Sequence, residues 1–373
     1  MSDAELTCNV LDLERAARKA IADERLADYI AGGADDEVTL ADNRDAFGAY
    51  WLRPRVLSGS DVTLSTTVLG EPVSLPFLIA PTGYHVLLHP DGELATARAA
   101  AKAGIPLILA WRAGRDLRDV AATGRGSRWF NVHLSRDTGR LRDRVLEAKA
   151  CGFEALCLTV DSPVTGNRER DRRSGYTVAA RTAAMEAAGF PIDGWSEPRP
   201  GATDLPTWDD VQRLAELTDL PVVVKGILDP RDAVQAIEHG ASAIYVSNHG
   251  GRQLDGSVPA ICALPEIASA VEGRAEIYID GGIRRGSDVL KALALGARAV
   301  GIGRPVLWGL AIDGDEGVGR AIQFLADETR RAMLLAGQTN SSAVDPEVVT
   351  PTELRHRHPL RSQRWDRGLP DGP

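Results

Sequence analysis

Four stretches of this 373-residue chain follow one rule. AGIPLILA (103–110), CGFEALCLTVD (151–161), HGASAIYVSN (239–248) and LGARAVGIGR (295–304) each set a glycine before a short apolar run. Glycine ends helices in the left-handed conformation, and unbroken runs of Ile, Val and Leu suit strands covered on both faces. Each stretch therefore predicts a helix that stops and a buried parallel strand that starts. PFLIAP (76–81), WFNVH (129–133), PVVVKG (221–226) and EIYIDG (276–281) bring the strand count to eight. Between them lie helical patterns such as GELATARAAAK (92–102) and DVLKALA (288–294), with apolar positions three and four apart. Eight strand–helix units predict a closed (β/α)8 TIM barrel. The competing open, doubly wound sheet would carry a glycine-rich dinucleotide turn after its first strand, where this chain has Pro81, Thr82 and Gly83.

The chain reads as one domain over 1–373, with the barrel at 76–310. Residues 1–60 form an N-terminal helical extension whose helices stop at Gly32-Gly33. A long, proline-containing connection at 171–206 follows the fourth strand and is either a lid or a surface insertion. The proline-rich, basic tail at 350–373 suits solvent or a subunit contact better than a nucleic-acid arm or a metal site. A net charge of −9 opposes nucleic acid or an anionic membrane as the main partner and favours a small-molecule substrate. The start, MSDAELTCNV, lacks the basic and apolar regions of an export signal, and no apolar stretch is long enough for a bilayer, so a cytoplasmic protein is expected. Cys8, Cys151, Cys157 and Cys262 have no metal-site spacing and read as free thiols, with no metal expected.

Barrel chemistry sits where strands end, because the loops there converge on one mouth. The strand-end residues are Thr82, His133, Thr159, Asp161, Lys225, Ser247, His249, Arg252, Asp280, Arg284, Gly303 and Arg304. DGGIR (280–284) and GIGR (301–304) both combine bare backbone amides with a guanidinium, which is what a phosphate dianion requires, at the barrel's usual phosphate position. Lys225 ends a Val-Val-Val run, where its ammonium could form a Schiff base or hold an anion. In SNHGGRQLD (247–255), His249 can take a proton and the fork of Arg252 can grip a carboxylate, while Gly250 and Gly251 let backbone approach a ligand closely.

SNHGGRQLD, DGGIR, Gly303-Arg304, Val224-Lys225-Gly226 and LTVD (158–161) resemble the FMN-dependent 2-hydroxy-acid oxidases and dehydrogenases, a family that includes glycolate oxidase, lactate oxidase and mandelate dehydrogenase. The likeness runs from about Asp28 to about Leu310. It implies bound FMN, its phosphate held by Gly282, Arg284, Gly303 and Arg304 and its ribityl chain by Asp280. Thr159 and Ser247 would contact the ring, Lys225 would lie beside N1 and the C2 carbonyl, and Pro81, Thr82, Gly83, Asn131, Gly250 and Gly281 would complete the cofactor wall. It further implies His249 as the base, Asp161 as the partner of its imidazolium, and Arg252 with Arg168 and Tyr29 as the site of the substrate carboxylate. Dioxygen or another acceptor would reoxidise the FMN, dioxygen being the expected one, and a homo-oligomer, by resemblance a tetramer, is the expected assembly.

Two departures fall on the substrate side. The family's glutamine and tyrosine after the third strand are here Asn131 and His133, and a serine pair after the second is replaced by Leu109-Ala110-Trp111-Arg112. The phosphate cradle of the cofactor and the His249–Arg252 pair are intact. The expected activity is oxidation of a 2-hydroxy acid to a 2-oxo acid; the alternatives are an FMN oxidase of a bulkier hydroxy acid, an amine or a modified amino acid, and a silent flavin-binding barrel.

Overall fold

In the computed structural model, which describes residues 7–59, 61–134, 138–190 and 206–352, each of the four repeat glycines, Gly104, Gly152, Gly240 and Gly296, has the positive φ that stops a helix and releases the chain into a strand. The barrel strands are β1 (Phe77–Ile79), β2 (Leu107–Leu109), β3 (Arg128–His133), β4 (Ala155–Thr159), β5 (Val222–Ile227), β6 (Ala243–Val246), β7 (Glu276–Ile279) and β8 (Ala299–Ile302). Each pairs in parallel with its sequence neighbour, and β8 closes onto β1, Val300 opposite Phe77. The eight strands are the eight runs expected from the sequence.

Strand residues alternate between two cores, as a two-residue period demands. Phe77, Ile79, Phe130, Leu156, Leu158, Val224, Ile244, Ile279 and Ile302 face the helix layer. Leu78, Ile108, Trp129, Cys157, Val223, Tyr245 and Tyr278 fill the barrel interior. Val68 and Val73 join that interior cluster from an antiparallel hairpin, Thr66–Val68 with Glu71–Val73. The Leu69 N–H of this hairpin donates to Tyr278 Oη at 3.0 Å, so the hairpin lies at one end of the interior. Its short strands carry no repeat signal.

Residues 1–60 are not wholly helical. Helices Val10–Ala20, Glu24–Ala31 and Val38–Asp45 are followed by a strand, Tyr50–Leu52, that pairs antiparallel with Val349–Pro351. The expected stop at Gly32 is observed as the C-cap of the second helix. The connection after β4 carries two helices, Glu169–Arg173 and Val178–Ala187. Positions 191–205 of the lid candidate and 353–373 of the tail lie outside the described residues. Among the described residues no helix is long and apolar enough to cross a membrane.

The SNHGGRQLD segment fastens the N-terminal extension to the barrel. Asn248 and Asn43 exchange two side-chain hydrogen bonds of 2.8 Å in a buried position. Gly251 has φ +74° and packs so tightly that a Cβ there would lie 2.6 Å from Leu40 N. The close approach expected of this glycine is thus made to another stretch of backbone. Gly282, at φ +83°, likewise leaves no room, since its Cβ would sit 1.9 Å from Asn43 O. The helix at Val38–Asp45 begins at Glu37, which is left-handed and gives no side-chain cap. Asp255 supplies it from the other end of the motif, its carboxylate accepting from Thr39 N at 2.7 Å and Val38 N at 3.2 Å. Losing an N-terminal cap costs about 1 kcal/mol, so Asp255→Ala should lower the unfolding free energy from urea titration by that amount, through a lower midpoint at an unchanged m value.

Candidate active site

The alternation that fills the barrel with Ile108, Trp129, Cys157, Val223, Tyr245 and Tyr278 continues past the strand ends. Two residues on, it delivers Ala110, Asn131, Thr159, Lys225, Ser247 and Asp280 to the mouth, and four on, His133 and Asp161. The apolar floor and the polar mouth are therefore one set of positions.

Lys225 is buried at 4% exposure. Its Nζ donates to Ser247 Oγ at 2.8 Å and lies 3.2 Å from Asp280 Oδ2. Ser247 in turn donates to Asp280 Oδ1 at 2.5 Å and accepts from His249 N at 3.0 Å. Burial pulls the ammonium toward its neutral form, but Asp280 and Asp161 outweigh this and raise its pKa. A fixed positive charge thus stands at the centre of the mouth. Asn131 Nδ2 donates to Thr159 Oγ1 and to Cys157 O, both at 2.8 Å.

His249 adopts φ +58°, a left-handed conformation unusual for a side chain of its size. Its Nδ1 lies 3.0 Å from Asp161 Oδ1. A carboxylate beside Nδ1 assigns the proton to that nitrogen and leaves Nε2 with a lone pair. Burial pushes the His249 pKa down and Asp161 only partly restores it, so the imidazole is neutral and basic at neutral pH. His133, on β3, has Ser162 Oγ 3.4 Å from its Nδ1. Burial, together with repulsion from His249, drives its pKa to about 3.

Three guanidiniums crowd the opposite side. Arg252 Nη1 donates to Tyr29 O at 2.8 Å and to Gly32 O at 2.7 Å. Arg304 donates to Ile30 O at 2.8 Å, Gly32 O at 2.9 Å and Gly250 O at 3.1 Å. Arg284 Nη1 donates to Ile283 O at 2.9 Å, whereas its buried Nε has no hydrogen-bond partner among the described residues and lies 4.0 Å from a Glu14 carboxylate oxygen. Burial lowers the pKa of all three, to about 10 for Arg252 and Arg284, and the neighbouring cations lower those of Arg252 and Arg304 further. Positive charge is in excess here, and an anion would relieve it.

Two adjoining cavities open on these groups. One, of about 160 Å³, is lined by Pro81, Thr82, Gly83, Gly250, Asp280, Gly281, Gly282, Arg284, Gly303 and Arg304. The other, of about 120 Å³, is lined by Ala110, Trp111, Arg112, Asn131, His133 and Thr159. Tyr29, Arg168, Lys225 and His249 line both, and Arg252 lines the first. Ser247 lines neither, because its hydroxyl is engaged beneath the surface by Lys225 and Asp280. Asp161 also stays behind His249. Sequence reasoning missed Tyr84, whose hydroxyl accepts from Arg112, and Arg181, a buried cation from the helix after β4. Neither lies at a strand end or in a glycine motif. Among the described residues no group of three or more His, Cys, Asp or Glu is placed to hold a metal ion.

The first cavity fits a phosphate-bearing cofactor. It offers an unpartnered Arg284 donor, and a Cβ on Gly303 would meet nothing closer than Thr82 Cγ2 at 3.8 Å. A phosphate cradle beside a buried ammonium and a neutral histidine has the charge layout that a flavin barrel requires. A family model described as FMN-dependent dehydrogenase matches residues 17–351, and the chain belongs to that family. It is an FMN-dependent enzyme of the 2-hydroxy-acid oxidase type. An L-lactate oxidase of Nostoc sp. is 45% identical over 359 residues, covering 91% of this chain and 97% of that one. A 4-hydroxymandelate oxidase of Amycolatopsis orientalis is 45% identical over 338 residues, with 88% and 94% covered. The crystal structure of a mandelate oxidase superposes with a TM-score of 0.83 at 42% identity, covering 92% of this chain and 98% of that one.

The charge environment makes a direct spectroscopic prediction. By NMR of the imidazole ring protons, His133 should stay neutral down to about pH 3 and His249 should titrate below the ordinary histidine value of 6.5. Because Asp161 is what raises the His249 pKa, Asp161→Asn should move that titration lower still.

Proposed function

We propose that this chain oxidises a 2-hydroxy acid to the 2-oxo acid with His249 as the base and Arg252, Arg168 and Tyr29 as the carboxylate clamp. The observation that carries the assignment is the Asp161–His249 bond, which frees Nε2 in the cavity that Arg252 also lines. FMN, when bound, supplies the two-electron acceptor, and dioxygen is the reoxidant in this reading, in keeping with relatives named as oxidases.

Gly282, Arg284, Gly303 and Arg304 would hold the cofactor phosphate and Asp280 the ribityl chain. Thr159, Asn131 and Ser247 would support the ring, with Pro81, Thr82, Gly83, Gly250 and Gly281 as its wall. Lys225 offers this group a positive charge that Asp280 keeps protonated. His249 Nε2 takes one proton from the substrate, and Asp161 then faces an imidazolium that it stabilises by charge pairing. His133, neutral throughout the working pH range, can donate a ring N–H to the substrate's oxygen without itself changing charge.

A second reading concerns the substrate. Ala110, Trp111 and His133 line the second cavity, where the family carries hydroxyls, and this change of lining supports a non-standard substrate, whether a bulkier hydroxy acid, an amine or a modified amino acid. A cytoplasmic homo-oligomer accompanies either reading; the exposed Trp51, Val56, Leu57, Leu334 and Leu335 provide apolar surface for subunit contact.

His249→Gln should retain FMN yet lose about 10²- to 10⁴-fold in the rate at which substrate bleaches the flavin under anaerobic conditions. In the wild type this rate should fall as pH drops through the His249 pKa, below 6.5, because the base must be neutral, and should be flat above it. Full activity in the Gln variant would remove His249 from the chemistry. Arg252→Lys, which lacks the two-pronged fork, should weaken apparent substrate affinity by about 10- to 100-fold, the scale of one charged hydrogen bond. An unchanged affinity would mean that no substrate carboxylate lies at that position.

A further inference from the structure

Arg181 lies on the helix Val178–Ala187, in the connection after β4, yet it is only 1% exposed. Its guanidinium carbon sits 4.0 Å from the centroid of the Tyr29 ring, 5.4 Å from that of Tyr84 and 5.8 Å from that of Tyr176. Nη1 pairs with Asp171 Oδ2 at 3.1 Å and also reaches Tyr176 O, whereas Nε has no hydrogen-bond partner among the described residues. The three tyrosines form edge-on contacts, Tyr29 with Tyr84 at 5.8 Å and with Tyr176 at 6.2 Å. A second guanidinium, Arg252, is 4.9 Å from the Tyr29 centroid. Burying a guanidinium is costly where an apolar side chain would fill the same space, and besides Asp171, the Tyr176 carbonyl and the Tyr84 hydroxyl this one has the face of Tyr29, the nearest of the three rings.

Resting on the function proposed above, we propose that Arg181 is a positioning residue for substrate binding: its contact with the Tyr29 ring sets where the phenol stands beside Arg252 and Arg168 and keeps the clamp ready for a carboxylate. The charged and titratable groups facing Tyr29 are Arg181, Asp171 and Tyr176 from the segment after β4, Tyr84 from the loop after β1, Arg168, and Arg252 from the loop after β6. Burial raises the Tyr29 pKa, but Arg181, Arg252 and Arg168 outweigh it and leave the phenol more acidic than usual. A phenolate would repel the substrate carboxylate, so substrate affinity should fall as pH rises through the Tyr29 pKa, below the ordinary value of 10.

Two measurements on the FMN-loaded enzyme test this. In anaerobic flavin reduction by a 2-hydroxy acid, Arg181→Met should raise the apparent dissociation constant about 30-fold, the scale of one desolvated cation–π contact, with little change in the limiting rate. The same substitution should have no further effect when Tyr29 is already Leu. In an ultraviolet pH titration of phenolate, one tyrosine should titrate below 10 in the wild type, vanish in Tyr29→Phe and move upward in Arg181→Met. Arg181→Lys keeps a charge for Asp171 and serves if the Met variant does not fold; it should retain the low phenolate transition while losing affinity, for want of the planar fork. An equal loss of affinity in the Tyr29→Leu background, or a phenolate titration unmoved by Arg181→Met, would overturn the proposal. If no 2-hydroxy acid bleaches the wild-type flavin, the functional reading fails, and the phenolate titration still decides the role of Arg181.

Discussion

The mouth of this barrel is organised by positive charge that must be answered. Arg252 and Arg304 donate to the carbonyls of Tyr29, Ile30 and Gly32, which are the last, otherwise unpaired acceptors of the helix Glu24–Ala31. A helix C-terminus carries partial negative charge, so the cations and the helix end satisfy each other. That bond set places Tyr29 at the junction of the two cavities and leaves the remaining guanidinium donors facing inward. Lys225 is answered differently, by a full carboxylate and a buried serine. The contrast is chemical: Lys225 is compensated within the protein, whereas the arginine cluster retains an excess that suits anionic ligands.

Much of this was legible in the sequence because strands have a strict period. Once Tyr245 is taken as barrel interior, Ser247 shares its face, and the same parity takes Val223 to Lys225 and Tyr278 to Asp280. The glycine-terminated helices announced four of the eight strands, and the DGGIR and GIGR turns announced an anion site. The roles within SNHGGRQLD were less visible. Asn248, Gly251 and Asp255 hold the N-terminal extension, and no local pattern distinguishes a residue that touches a ligand from one that touches a helix more than 200 positions away. Arg181 was invisible for a related reason: in an alanine-rich helix an arginine reads as a solvent-facing residue, and only tertiary packing puts three tyrosine rings around it.

The two changed positions on the substrate side gain a physical account from the same packing. His133 is half-buried beside a second histidine and near Lys225, and desolvation with that repulsion suppresses its protonation to about pH 3, so it acts as a neutral donor or acceptor at working pH. Trp111 stacks on Phe130 at 5.7 Å, which makes the second cavity's wall rigid as well as bulky. These features govern which molecule fits, and they leave the histidine–aspartate pair undisturbed.

The bond between Arg304 and Ile30 spans 274 positions of the chain. During synthesis the helix that bears Ile30 leaves the ribosome long before the strand that precedes Arg304 exists, so water is the partner of its C-terminal carbonyls until the arginines reach them. The mouth therefore joins the earliest and the latest parts of the barrel-forming chain. A chain truncated before its eighth strand keeps Gly282, Arg284 and the Arg252 bonds to that helix, but loses Gly303 and Arg304, and with them half of the cradle and the three bonds Arg304 makes to Ile30, Gly32 and Gly250.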